Sequence, residues 1–255
     1  MDDLVEFTQR SEALRHHIAR YSVTLVICSN GTPIEIGSGT CIERDGIFGI
    51  VTAAHVVKGV AYKDIAVIYS HIPSRLNSYI TATFINGGDE DDPLDVAFLH
   101  VSNAGLTELR LHKSFLPAER FRHDISILAN DMFIVYGTPR ELLDDQALEN
   151  NEVKAHPMAY LTVSLEKLPV NFLVANDIAI EYPKDGNIFT ADGKLALLPA
   201  AEGLSGGGVW IASANKDGLW SPEDARLVGV EISWHPRERW VRGNQIQHVL
   251  PLIMN

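Results

Sequence analysis

Glu202-Gly203-Leu204-Ser205-Gly206-Gly207-Gly208, running straight into Val209-Trp210-Ile211, is the stretch around which this chain is organised. One serine sits among four glycines beside a strand-like apolar run. Glycine enters positive φ without steric penalty and lets another group come close to the backbone. A serine hydroxyl is a weak nucleophile until a base takes its proton. A sharp glycine turn can present Ser205 to such a base. It can also aim the N–H groups of Gly203 and Ser205 at one point, where a developing oxyanion would sit. The same heptapeptide suits an ordinary glycine-rich loop, so its meaning depends on a histidine and an aspartate in fitting contexts elsewhere.

Outward from this turn the chain reads as short β-branched runs separated by turn residues. Val23–Ile27 and Ile34–Ile42 flank the turn Ser29-Asn30-Gly31-Thr32-Pro33, and Asp45-Gly46 is a hairpin signal leading into Ile47–Val51. Further strands are expected at Ile65–Tyr69, Ile80–Ile85 and Val96–Val101. After a linker, more follow at Ile125–Leu128, Met132–Tyr136, Ala159–Leu165, Phe172–Glu181, Val209–Ser213 and Leu227–Ser233. Glu141–Glu152 is acidic and suits a short helix. Two groups of short strands argue for an all-β fold of barrels rather than βαβ units. Leu4, Phe7, Leu14, Ile18 and Tyr21 share one helical face, predicting an N-terminal helix that either packs on the first barrel or docks a partner. Ile246, Val249, Leu250 and Ile253 predict a terminal helix, blemished by Pro251. The expected organisation is residues 1–20 N-terminal helix, 21–114 first barrel, 115–124 linker, 125–235 second barrel and 236–255 C-terminal helix, together one domain.

Composition excludes some classes. The 255 residues carry 21 basic and 33 acidic side chains, a net charge of −12, which argues against nucleic acid or an anionic membrane as partner. No stretch is apolar for the length of a membrane span. Met1-Asp2-Asp3-Leu4 lacks the basic-then-apolar layout of a secretory signal, and the expectation is a cytosolic protein. Cys28 and Cys41 flank the turn at Asn30–Pro33, which would set Cys28 near Glu35 rather than Cys41, so free thiols are expected. No His/Cys cluster has zinc spacing, since His16 and His17 are adjacent on a helix, and no metal or cofactor is called for.

Two residues answer the serine. His55 follows the apolar strand Ile47–Val51 directly, a place that suits a structural histidine as well as a base. Asp95 abuts the apolar run Val96-Ala97-Phe98-Leu99, where a carboxylate is costly unless something hydrogen-bonds to it. Base, orienter and nucleophile thus occur in the order His55, Asp95, Ser205. An esterase of the α/β-hydrolase type would need the serine first.

Three motifs in that order carry a resemblance. Gly37-Ser38-Gly39-Thr40 followed by Val51-Thr52-Ala53-Ala54-His55-Val56-Val57 is similar to the histidine region of trypsin-like serine peptidases, in particular their bacterial HtrA-like branch. Asp92-Pro93-Leu94-Asp95-Val96-Ala97 resembles that branch's aspartate segment, and Gly203-Leu204-Ser205-Gly206-Gly207 resembles the serine motif Gly-x-Ser-Gly-Gly. The resemblance spans about Tyr21 to Trp234. It implies two six-stranded antiparallel β-barrels, a catalytic His55–Asp95–Ser205 triad in the cleft between them, an oxyanion hole from Gly203 and Ser205, and a protein or peptide substrate.

Departures matter. Leu204 stands where secreted relatives have the aspartate that pairs with a freshly cut N-terminus, so the serine loop is either ordered as made or ordered by an activating partner. The usual cysteine beside the histidine is Val56, and the expected chain has no PDZ module after its second barrel. A catalytically silent scaffold that binds protein is the rival reading. For specificity, Pro199 takes the place of the acid in trypsin-like pockets, which disfavours a basic residue there and suits a small or apolar one. Ile232, Ser233 and Trp234 belong to the pocket-edge strand, whose alignment leaves open whether Glu231, Ile232 or Ser233 faces the substrate. His235 is either a loop histidine or a reader of an acidic side chain.

Overall fold

The computed structural model of the chain describes residues 2–30, 32–69, 74–75, 77–89, 92–123, 132–144, 152–165, 167–169, 172–183, 187–189, 195–212 and 221–254. A helix, α1 (Asp2–Ala19), leads into six strands: β1 (Ser22–Ser29), β2 (Thr32–Arg44), β3 (Ile47–Thr52), β4 (Ile65–Ile68), β5 (Ile80–Gly87) and β6 (Asp95–Val101). Six more follow: β7 (Met132–Gly137), β8 (Met158–Thr162), β9 (Asp177–Glu181), β10 (Gly208–Ala212), β11 (Arg226–His235) and β12 (Trp240–Gln245). The first set pairs in the order β4-β1-β2-β3-β6-β5 and the second in the order β8-β7-β10-β11-β12-β9, all antiparallel.

Read as circles, the two orders are the same. Each runs first strand, second, third, sixth, fifth, fourth, and they differ only in where the ladder is weakest. In the first set that seam lies between β4 and β5, where the Val67 N–H donates to the Asn77 carbonyl at 3.2 Å. In the second it lies between β8 and β9. There the Leu165 N–H donates to Ala179 O at 3.2 Å and the Glu181 N–H to Val163 O at 3.1 Å. The result is the expected all-β pair of barrels, with closure removing the exposed edges that an open sheet would leave.

Each barrel has its own core. Val23, Leu25, Ile27, Ile50, Val67 and Leu99 fill the first, and Phe133, Val135, Ile180, Val209, Ile211 and Val241 the second. A third cluster lies between them, with Ile42, Val51 and Phe98 from one side and Ile134, Tyr136, Trp210 and Leu227 from the other. This explains why β1 reads as a nearly unbroken apolar run. Its inward residues face the first core, and on its other face Val26 packs with Val153 and Ala155 while Thr24 bonds Thr138.

Leu14 and Ile18 of α1 enter the third cluster, each worth about 1.5–3 kcal/mol of burial. The helix therefore packs at the junction, against β7 and β8 as well as β1, rather than on the first barrel alone. The side chains of Leu4 and Phe7 lie outside the described part. The stretch 236–255 is not all helix: β12 completes the second barrel, and only Leu250–Ile253 is α-helical, after a 3₁₀ turn at Ile246–His248. Its Leu252 and Ile253 return to the inter-barrel cluster. In place of a strand from Phe172, a turn precedes β9. Of the stretch Glu141–Glu152, expected as a short helix, residues 145–151 lie outside the described residues; at its start Arg140–Leu142 is one 3₁₀ turn and Leu143–Asp144 pairs with Glu152–Ala155. The strand expected at Ile125–Leu128 lies outside the described residues. Cys28 and Cys41 are free, and Cys28 pairs with Pro33 rather than Glu35, because the ladder sets Ile27 against Glu35 and an irregularity after it skips Ile34.

Candidate active site

From Val51 to Val57 every residue is buried except His55. The strand β3 drives apolar side chains into the first core, and the single helical turn Ala54–Val57 that follows keeps Ala54, Val56 and Val57 there, so His55 is the one left pointing out. Asp95 opens β6, the strand that pairs directly with β3. Its carboxylate accepts the His55 backbone N–H at 2.8 Å and meets His55 Nδ1 at 2.5 Å. A carboxylate can only accept, so Nδ1 carries the proton and Nε2 presents its lone pair to the cleft. Burial pulls the His55 pKa down, but the hydrogen bond and charge of Asp95, helped by the charge of Glu35, outweigh it and leave it raised.

Asp95 is in turn held from the second barrel. Its N–H donates to Asn244 Oδ1 at 2.7 Å, and Asn244 Nδ2 donates to Asp177 Oδ1 at 3.1 Å. Asp177 is fully enclosed and pairs with Arg242 at 2.8 Å. A chain of polar contacts therefore runs from Arg242 and Asp177 through Asn244 to the backbone N–H of the aspartate that orients His55. Nothing local marks Asn244 or Asp177, since their partner is distant in sequence.

The serine loop is built from backbone geometry. Gly203 has φ +89°, and a Cβ there would meet Arg140 N and Thr138 O at 2.8 Å. The Glu202 carbonyl accepts the Arg140 N–H at 2.7 Å. In a trans peptide C=O and N–H point opposite ways, so the same bond turns the Gly203 N–H away from Arg140. Around Ser205 the neighbouring N–H groups are engaged: Leu204 to Ala201 O, Gly206 to Glu231 O, Gly207 to Leu204 O. The Gly203 and Ser205 N–H groups have no acceptor among the described residues, which is the arrangement an oxyanion would need.

Ser38 ties this loop to the first barrel. Its N–H donates to Ser205 O at 2.7 Å, its hydroxyl donates to Gly203 O at 2.9 Å, and the hydroxyl oxygen accepts the Thr138 N–H at 2.8 Å. Leu204, at the position where an activating aspartate would sit, is instead fully buried in the second core. His55, Gly203 and Ser205 line one cleft of about 240 Å³ with Glu35, Ile36, Val56, Arg140 and Glu202.

The residues expected to set specificity do not line this cleft. Pro199 accepts the Tyr182 hydroxyl on its carbonyl at 2.9 Å. Ile232 is buried among first-barrel residues, Ser233 bonds the His235 ring at 3.2 Å, and Trp234 packs edge-on to Tyr182 at 6.3 Å. The one-residue ambiguity of this strand has a cause. Glu231 pairs with Gly243 and Ser233 with Arg242, leaving Ile232 as the extra residue of a bulge.

Solved structures share this architecture. An HtrA-type protease, AlgW, bound to a tripeptide superposes with TM-score 0.54 at 15% identity over 96% of this chain and 62% of its own. The chain thus spans under two thirds of that protein's length. An inactivated protease paralogue of the scabies mite gives TM-score 0.57 at 12% identity, covering 93% of this chain and 94% of the other. The fold is that of the chymotrypsin-like serine peptidases. A Mycobacterium tuberculosis protease in its active form, at TM-score 0.53 and 12% identity, covers 97% of this chain and 85% of its own. A scan of protein-family models finds no match, and neither does a search of curated protein sequences. Among the described residues no helix is long and apolar enough to cross a membrane.

Proposed function

We propose that this chymotrypsin-like chain is a serine endopeptidase acting on protein or peptide substrates through His55, Asp95 and Ser205. The observation that carries the reading is the His55 Nδ1–Asp95 contact of 2.5 Å behind a cleft that His55 and Ser205 both line. In the cycle, His55 Nε2 takes the Ser205 proton as Oγ attacks the scissile carbonyl. The Gly203 and Ser205 N–H groups hold the oxyanion, and the imidazolium, stabilised by Asp95, passes its proton to the leaving amine. Water then enters, His55 removes its proton, and the acyl group leaves Ser205. The loop's own ties to Ser38 and Arg140 support activity without an N-terminal cut or an added partner.

A silent protein-binding scaffold is the second reading. It is favoured by the absence, among the described residues, of a hydrogen bond between Ser205 and His55, although such bonds often close only when substrate binds. Labelling the purified chain with a fluorophosphonate, read by peptide mapping beside Ser205→Ala, separates the two. One adduct at Ser205, absent in the variant, is the expected result. Absence of any adduct, with and without cell lysate, sinks the catalytic reading.

A further inference from the structure

Glu231 is the buried acid that the proposed cycle leaves unused. It is 1% exposed, and neither carboxyl oxygen makes a hydrogen bond of good geometry among the described residues, although the Ser205 hydroxyl is near enough to act on it. Its backbone belongs to the site: the N–H donates to Gly207 O and the carbonyl accepts the Gly206 N–H, both at 2.8 Å. Across the ladder it faces Gly243 of β12, which offers no side chain. The groups that reach it are Asp95 from β6, Ser205 from the loop and Tyr182 at the end of β9, with no cation among them. A carboxylate enclosed without a counter-charge is too costly to keep ionised. Burial first, and the charge of Asp95 second, push the Glu231 pKa up to about 8, while the Ser205 hydroxyl draws it part of the way back.

A serine hydroxyl has one proton to give. Aimed at His55 Nε2, it is in line for reaction. Aimed at an ionised Glu231, it enters a charge-assisted bond stronger than a neutral imidazole can offer. A protonated Glu231 reverses the preference, because its own O–H can donate to a lone pair of Ser205 Oγ and leave the serine proton for His55. We infer that Glu231 is a positioning residue that must hold its proton for Ser205 to react, its ionised form keeping the hydroxyl from His55. The inference rests on the serine-peptidase reading. Glu231 neither gains nor loses a proton during turnover, so all transfers stay within the triad.

The rate of fluorophosphonate labelling at Ser205, followed from about pH 5 to about pH 10 in wild type, Glu231→Gln and Glu231→Leu, tests it. The wild-type rate should rise as His55 loses its proton and fall about tenfold per pH unit above about pH 8, and both variants should lose that fall whatever their rate at pH 7. A wild-type plateau that persists, or a fall retained in both variants, overturns the inference. Denaturant unfolding against pH provides a readout independent of labelling. Between 4.5 and about 8 the folded chain holds a proton at Glu231 that the unfolded chain has released. Wild-type stability should therefore decline with rising pH relative to Glu231→Gln across that window and run parallel above it. Parallel curves throughout overturn the inference. A chain that shows the decline yet never labels overturns the peptidase reading beneath it.

Discussion

His55 stands on buried apolar neighbours and a carboxylate, whereas Ser205 stands on backbone hydrogen bonds that arrive from the other barrel. The histidine half of the site is electrostatic. Its geometry follows from where β3 ends and β6 begins, and its energy from one charged contact. The serine half is conformational. Two residues of its loop, Gly203 and Gly206, sit at φ +89°, and Ser38 supplies the ties that keep them there. The halves should therefore fail differently. Damage to the first should spare the fold and remove the chemistry, while damage to the second should cost stability and chemistry together.

The largest effect tests the electrostatic half. Asp95→Asn keeps the shape but puts an amide where His55 Nδ1–H needs an acceptor, which favours the wrong imidazole tautomer. Labelling or turnover should fall about 10³–10⁴-fold, equivalent to about 4–5.5 kcal/mol, with the unfolding midpoint little changed. A loss under tenfold would mean that Asp95 does not orient the base.

Gly206→Ala strikes the conformational half. A Cβ there would lie 2.1 Å from both Ser38 O and Thr52 Oγ1, and these two atoms already share a 2.8 Å hydrogen bond. The strained φ and the overlap together should cost about 2–5 kcal/mol, read by denaturant unfolding, and labelling should fail with it. Gly46→Ala is the control. Its φ of +81° is similar but nothing lies within 4 Å, so the backbone penalty of about 1 kcal/mol stands alone. Equal costs at the two positions would remove the distinction between the halves.

Ser38→Ala separates tie from turn. It strips the partner from Gly203 O and from the Thr138 N–H while leaving the Ser38 N–H bond to Ser205 O. Orphaned buried groups cost about 1–3 kcal/mol, and labelling should drop without moving along the pH axis, because His55 and Asp95 are untouched. A shifted pH profile in this variant would show that the halves are coupled more tightly than their contacts suggest.

Much of this was legible in sequence because it is local. His55, Asp95 and the Gly203–Gly207 turn each announce themselves by a polar or glycine residue set against an apolar strand. The alternating runs placed most of the strands of both barrels. What escaped depends on residues far apart in the chain. Asn244 looks like any strand polar residue until β12 is laid beside Asp177 and Asp95. Ser38 reads as part of a small-residue strand, and only the docking of the barrels gives it three partners. The strand at Trp240–Gln245 hides its period behind Gly243 and Asn244. The bulge at Ile232 is set by pairing with β12, so no alternation rule could decide which way Glu231 points.

The smallest predicted effect sharpens the electrostatic side. Glu35 is exposed on β2, lines the cleft, and its charge adds to that of Asp95 in raising the His55 pKa. A group whose pKa is raised by a nearby anion holds its proton to higher pH, and the base works only without that proton. Removing the charge in Glu35→Gln should therefore move the acid limb of the labelling profile to lower pH and leave the plateau in place. Because the carboxylate is in water, salt should screen it: the shift should be measurable at low ionic strength and fade as the Debye length shrinks toward about 3 Å at 1 M salt. The shift contributed by Asp95, made through a direct 2.5 Å contact, should survive the same salt far better. If both contributions fade together, the His55–Asp95 pair is open to solvent, and the contrast between a charged half and a backbone half of the site would have to be redrawn.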